Sequence, residues 1–153
     1  MRAIEQDGVI AVLERMQKTQ VSRVVYVSVF DIRQDAAPKI KLESAGIKQA
    51  VEEHLAQSRL NWTVLGAPPS MELFFAMIRG NVMIVPGGGP KALVSVSPVD
   101  LGEIAAQAVL RDDLSGKRFR VAGPEALSFP EAARRLSAVY GHEIRFRKIP
   151  ILG

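Results

Sequence analysis

The sequence predicts an α/β fold in which a parallel sheet is covered by helices on both sides. Two runs carry that expectation, Val24-Val25-Tyr26-Val27 and Trp62-Thr63-Val64-Leu65, both almost wholly apolar. Strands that hide both faces belong to parallel sheets, whereas half-exposed strands alternate polar and apolar residues. Between the two runs, apolar residues recur at helical spacing, so the order is strand, helix, strand.

The elements follow in order. Val9, Val12, Leu13 and Met16 stand at i, i+3, i+4 and i+7, which predicts an amphipathic helix over about Glu5 to Thr19 that leads into a strand at Arg23 to Ser28. Asp31 to Lys41 is polar, holds Pro38, and reads as a loop. Leu42 to Gln57 is helical with Ile47, Val51 and Leu55 on one face, and the strand at Trp62 to Leu65 follows. Pro68-Pro69 stops regular structure, after which Ser70 can cap a short helix carrying Met71, Phe74, Phe75 and Ile78. Val82 to Val85 and Ala92 to Val96 flank Pro86-Gly87-Gly88-Gly89-Pro90 and read as a hairpin or a crossing pair. Asp100-Leu101-Gly102-Glu103 and Ser128-Phe129-Pro130-Glu131 are capping boxes that open two more helices, the second ending at Gly141. Short strands are expected at Arg118 to Ala122 and Glu143 to Ile149.

With 153 residues and 48% hydrophobic content, the chain can bury a core and suggests one domain or one lobe of a larger one. A net charge of +4 favours anionic ligands, but the cations are scattered as on an ordinary basic surface, and nothing marks a nucleic-acid partner. Zero cysteines exclude disulfides and thiolate chemistry, and His54 and His142 lack ligand spacing, so no metal site is expected. No apolar run reaches the length of a membrane span and the N-terminus has no apolar targeting core, so the expectation is a cytoplasmic protein with no membrane contact.

Few residues point to chemistry. Gly87, Gly89 and Ala92 fit G-x-G-x-x-G/A in form, but the third position should open a helix, and Leu93-Val94-Ser95-Val96 is β-like; the segment reads as a turn rather than a phosphate cradle. Ser28 ends a parallel strand, where ligands bind in open α/β sheets, or else it bonds to local backbone. Ser44 and Lys48 are four apart, so a hydroxyl and an ammonium share a helix face and could reach one ligand; a solvated surface lysine is the alternative. His54 lies beside an apolar stripe and reads as a packing residue. Met71, Phe74, Phe75, Met77 and Met83 line either an apolar pocket or the plain core.

Four segments resemble the NmrA-like, NAD(P)-binding branch of the atypical short-chain dehydrogenases: Val21 to Ser28, Asn61 to Leu65 with Met71-Glu72, Val99 to Ala105, and Ala122 to Ser128. The resemblance implies a partial Rossmann-like parallel sheet with a small C-terminal substrate lobe. Residues 1–66 would be the nicotinamide-side sheet and residues 67–153 the mixed sheet and substrate lobe of one incomplete domain. The glycine-rich dinucleotide-binding half would precede Met1, so the chain is expected to be the closing portion. It would bind NAD(P) weakly or not at all by itself, and a homo-oligomer or another protein would cover the open sheet. Lys48 falls on the family's ribose-binding lysine, and Ser44 replaces a tyrosine four residues earlier; a serine hydroxyl is too weak an acid to take that role. Gly66-Ala67 replaces the usual Arg-Pro at a cofactor contact. Ser28 and Lys48 are thus the implied catalytic residues; Ser28, Lys48, Gly66 and Ala67 the cofactor contacts; and Met71, Phe74 and Phe75 the substrate pocket. Two functions stay open: a cofactor-dependent or redox-sensing protein, and an NAD(P)H-dependent reductase or nucleotide-sugar epimerase-like enzyme acting on a small apolar or quinone-like substrate.

Overall fold

The computed structural model describes residues 1–30, 43–89 and 91–150; the loop expected at Asp31 to Lys41 lies outside them. The chain forms two compact units, the first from Met1–Ala67 with Leu101–Val121 and the second from Pro68–Asp100 with Ala122–Gly153.

In the first unit, β1 (Arg23–Val29), β2 (Asn61–Ala67) and β5 (Lys117–Arg120) form an all-parallel sheet with β2 in the centre. The register pairs Ser28 with Gly66 and Val29 with Ala67, so these strand ends lie side by side. Helices α1 (Val9–Met16) and α2 (Glu43–Gln57) supply Leu13, Val51 and Leu55 to a core completed by Leu60 and Val64, with Val24, Tyr26 and Trp62 against it. The helix expected from Glu5 opens differently: Ala3–Gly8 is π-helical and only Val9–Met16 is regular α-helix. Arg23 fixes the strand starts. Its guanidinium donates to the Asn61 side chain (2.8 Å), Thr63 Oγ1 (2.9 Å) and the Ala108 carbonyl (2.6 Å), the last near the end of α4 (Pro98–Val109).

The second unit has a three-stranded sheet in which β4 (Val82–Pro86) pairs antiparallel with β3 (Ile78–Arg79) and parallel with β6 (Arg145–Ile149). Its core is apolar throughout: Phe74 from α3 (Glu72–Ala76), Met83, Val85, Ile144, and Phe129, Ala132 and Ala133 from α5 (Phe129–Tyr140). The start of α5 is as the sequence predicts. Ser128 Oγ accepts from the Glu131 N–H, and Gly141 ends the helix at φ 69°.

Three expectations are corrected. Ile78 is not on a helix but starts β3, because α3 stops at Ala76 and the chain turns at once into the sheet. Ala92 to Val96 does not form the partner strand of β4; it makes single bridges, Leu93 with Leu127 and Ser70 with Val96, while β3 and β6 occupy both sides of β4. The α4 cap lies one turn earlier than Asp100. The Ser97 hydroxyl accepts from the Asp100 N–H at 3.0 Å and Pro98 fills the first helical position, a better-matched start than an internal aspartate.

Candidate functional site at the strand ends

Ligands of open α/β sheets sit outside the carboxyl ends of the strands, and in the first unit those ends gather unusual polar groups. Residues of even number on β1 and β2 face α2, as Tyr26 and Val64 show by packing in its core. Ser28 therefore points to the same side; it is 3% exposed and its hydroxyl has no partner among the described residues. Arg118 reaches across from β5. It pairs with the buried Glu52 of α2 at 2.9 Å and donates to the carbonyl of Val29, the last residue of β1, at 2.8 Å. A Cβ at Gly66 would stand 2.9 Å from both terminal nitrogens of that guanidinium, so glycine is what lets it lie flat over β2. One side chain thus ties helix α2 and all three strands together where Ser28, Gly66 and Ala67 end.

The electrostatics are those of a partly dry site. Tyr26 is pushed up from 10.0 to about 12, chiefly by burial and then by the Glu52 and Glu5 carboxylates. Its phenol stays neutral at ordinary pH, and a group held that high is a poor proton donor near neutrality. The Lys48 ammonium sits 5.3 Å from the centre of the Tyr26 ring. At the mouth, Arg120 stacks over the Phe30 ring at 4.0 Å.

The structure brings together Ser28, Gly66 and Ala67, with Lys48 on the same sheet face. Ser44 is half-buried one turn before Lys48. His54 is half-buried, its Nε2 enclosed without a partner among the described residues. Met71, Phe74 and Phe75 belong to the second unit and do not act as one lining. Phe74 is core, Met71 is exposed, and Phe75 borders a cavity of about 300 Å³ with Tyr140 and His142. Gly87 and Gly89 have φ of 65° and 133° in a turn, and the Gly89 α-carbon lies against the Phe146 ring. Sequence reasoning missed Tyr26, Glu52 and Arg118; the one available signal was a pair of charges, Arg118 and Arg120, within an expected short strand.

Among the described residues no three or more histidine or acidic side chains are placed to hold a metal ion, and no helix is long and apolar enough to cross a membrane.

A family model described as NAD(P)H-binding matches residues 2–112. The chain is 23% identical, over 99% of its length, to the Photosystem II assembly factor Ycf39 of Synechocystis sp., of which it covers 46%. It also shares its fold with an NADPH-dependent quinone oxidoreductase, QOR2, from Escherichia coli (TM-score 0.78, 21% identity, 94% of this chain and 52% of that one). A triphenylmethane reductase of Citrobacter sp., solved with NADP(H), is similar in the same way (TM-score 0.77, 17% identity, 92% and 49%). The chain spans about half the length of these relatives.

The matched range overturns the assignment to the NmrA-like branch as a C-terminal portion without its dinucleotide-binding half, since the NAD(P)H-binding model covers the N-terminal part of this chain. Part of the resemblance has a physical reason. Gly123, for instance, is a glycine because a Cβ there would stand 1.9 Å from the Ser95 carbonyl oxygen. Such positions report architecture, and they do not separate one branch from another. The chain belongs to the NAD(P)H-binding family.

Proposed function

We propose that the carboxyl ends of β1 and β2 hold the nicotinamide end of NAD(P)H, and that the whole protein uses it to reduce a small apolar, quinone-like acceptor. The observation that carries this reading is Ser28, a buried hydroxyl at a strand end that has no partner among the described residues, on the sheet face that also carries Lys48. A buried polar group normally finds a partner, and a ribose hydroxyl or carboxamide would give Ser28 one. Bound NAD(P)H supplies the hydride. Lys48 orients the cofactor by donating to its ribose, with the ammonium steadied by the Tyr26 ring. The Gly66-Ala67 backbone forms the floor beside it, and the Arg118–Glu52 pair keeps both strand ends in place.

The acids at hand favour a quinone over an aliphatic carbonyl. Ser44 is too weak an acid and Tyr26 is held neutral to about pH 12, which leaves protonation of the product to water. A reduced quinone, phenolate-like with a reference value of about 10, can form as the anion and be protonated by water afterwards, whereas an alkoxide is too basic to form without an acid at hand. A second reading, cofactor sensing without turnover, is favoured by the same lack of a strong proton donor. In the full-length protein, Lys48→Ala should weaken NADPH binding or quinone turnover at least about tenfold, equivalent to about 1.4 kcal/mol, and Ser44→Ala should change neither by more than about twofold. Unchanged kinetics in Lys48→Ala would contradict the proposal; NADPH binding without turnover of any quinone would select the sensing reading.

A further inference from the structure

Among the described residues the second unit's sheet ends on β6, and only one side of that strand is paired. The Arg145 N–H donates to the Asn81 carbonyl at 2.9 Å, and the Ile149 carbonyl accepts from the Gly87 N–H at 2.8 Å, so the odd-numbered residues bond towards β4. Backbone groups alternate sides along a strand, which turns those of Ile144, Phe146 and Lys148 outward. At Ile144 the outward donor is already met: Ser137 Oγ of α5 accepts from the Ile144 N–H at 2.8 Å while donating to the Ala133 carbonyl at 2.7 Å. Past that point Phe146 and Lys148 present two donors and two acceptors with no further partner among the described residues. Alongside runs a cleft of about 610 Å³, lined by Pro130, Ala133 and Arg134 of α5 and by Arg145, Phe146 and Arg147 of β6, with Glu143 at one end of that run.

The two sides of this edge differ in chemistry. Phe146 packs on the core, so a residue added beside it would meet Pro130 and Ala133, a shallow apolar wall. Arg145 and Arg147 point to the opposite face, are exposed, and pair with no carboxylate among the described residues. Charged side chains on an edge also keep copies of a protein apart, and Arg145, Arg147 and Lys148 would repel a second β6. That protective role requires neither a cleft nor a hydroxyl that finishes the edge at Ile144 and leaves the next two outward positions open.

We propose that β6 takes an extended polypeptide segment as an added strand, one that alternates acidic with small apolar side chains. Main-chain bonds to Phe146 and Lys148 would give affinity, the acidic residues would face Arg145 and Arg147, and the small apolar ones would sit on Ala133 and Pro130. This is a binding surface separate in the chain from the strand ends of the first unit, and it does not depend on the cofactor reading.

The test uses the full chain and a fluorescent peptide, acetyl-Glu-Val-Glu-Val-Glu-Val-amide, followed by anisotropy. Saturable binding is expected, at least about tenfold tighter than for the Lys-Val peptide of the same length. N-methylating alternate amides, so that strand pairing is blocked while charge is kept, should weaken it at least about tenfold. The double substitution Arg145→Glu, Arg147→Glu should do the same with an unchanged thermal midpoint, since both side chains are exposed. No saturable binding, equal binding of the N-methylated peptide, or equal binding to the double variant would each overturn the proposal. So would a concentration-dependent dimer in sedimentation that the double variant abolishes, because it would assign this edge to a second copy.

Discussion

The two units bury different things. Beneath the strand ends of the first lie a carboxylate, a guanidinium, a phenol and a lone hydroxyl, from Glu52, Arg118, Tyr26 and Ser28. The second unit's core cluster is hydrocarbon, with Phe74 and Phe129 edge to face at 5.0 Å, and among the described residues Ser95 is the buried polar side chain that unit holds. Buried polar groups are costly unless fully satisfied, and among the described residues the first unit leaves Ser28 Oγ, the Tyr26 hydroxyl and Glu52 Oε1 without partners, while the cluster around Phe74 in the second holds none of these. A core that carries such groups is serving something other than stability. The second unit's core is scaffold, and its chemistry lies on its surface.

Substitutions can break this contrast. The largest loss of stability should come from the scaffold core: Phe74→Ala removes a ring that is 3% exposed and should cost about 3–5 kcal/mol in urea unfolding, with NADPH affinity unchanged if that core has no part in the site. Glu52→Gln should cost about 2–3 kcal/mol, less than a fully buried pair because the Arg118 side chain keeps 24% of its exposure and can turn to water. The informative variant is the double one, Glu52→Leu with Arg118→Met. If the pair exists for function, the double change should recover most of the stability, as apolar replacement of buried ion pairs often does, and still lose NADPH affinity. Trp62, the sole tryptophan, packs in the first unit and reports its unfolding directly. Recovery of both stability and affinity would show the pair to be structural only.

The smallest effects are in pH dependence, and they run in opposite directions. Tyr26 has its folded value raised from 10.0 to about 12, so its contribution is complete below pH 10 and is lost as pH rises towards 12; Tyr26→Phe should flatten that alkaline limb. In the second unit, hydrogen bonds from Arg134 and then Arg135 hold Glu131 down from 4.5 to about 2. Its contribution is present above pH 4.5 and is lost as pH falls towards 2, and Glu131→Gln should flatten the acid limb. Denaturant midpoints measured across pH, with Trp62 reporting the first unit, would show both slopes or disprove them.

Much of the scaffold is legible in the sequence, and much of the site is not, for one reason: range. Burial on both faces leaves its mark in consecutive residues, so β1 and β2 are visible as apolar runs, and α5 declares itself through Ser128 and Gly141. A two-residue strand such as β3 has no period to detect, and Ser97 was passed over because Asp100 and Glu103 make the more conspicuous pattern. The Arg118–Glu52 pair joins residues 66 apart in sequence, and Glu52 sits one position from the apolar stripe of α2, where a charge reads as solvent-facing. Ser28 and Lys48 could be singled out from their elements alone, but the tyrosine beneath Lys48 could not, since β1 and α2 meet only in the fold.

The central claim is that NAD(P)H is held at the carboxyl ends of β1 and β2, and amide chemical-shift mapping on titration with NADPH tests it most directly. The expected result is a set of saturable shifts at Ser28, Val29, Gly66 and Ala67 with the Lys48 side-chain signals moving in step, while the Gly87 to Gly89 turn and β6 stay still. Shifts centred on Gly87 to Gly89, or none at the two strand ends at saturating cofactor, would contradict it.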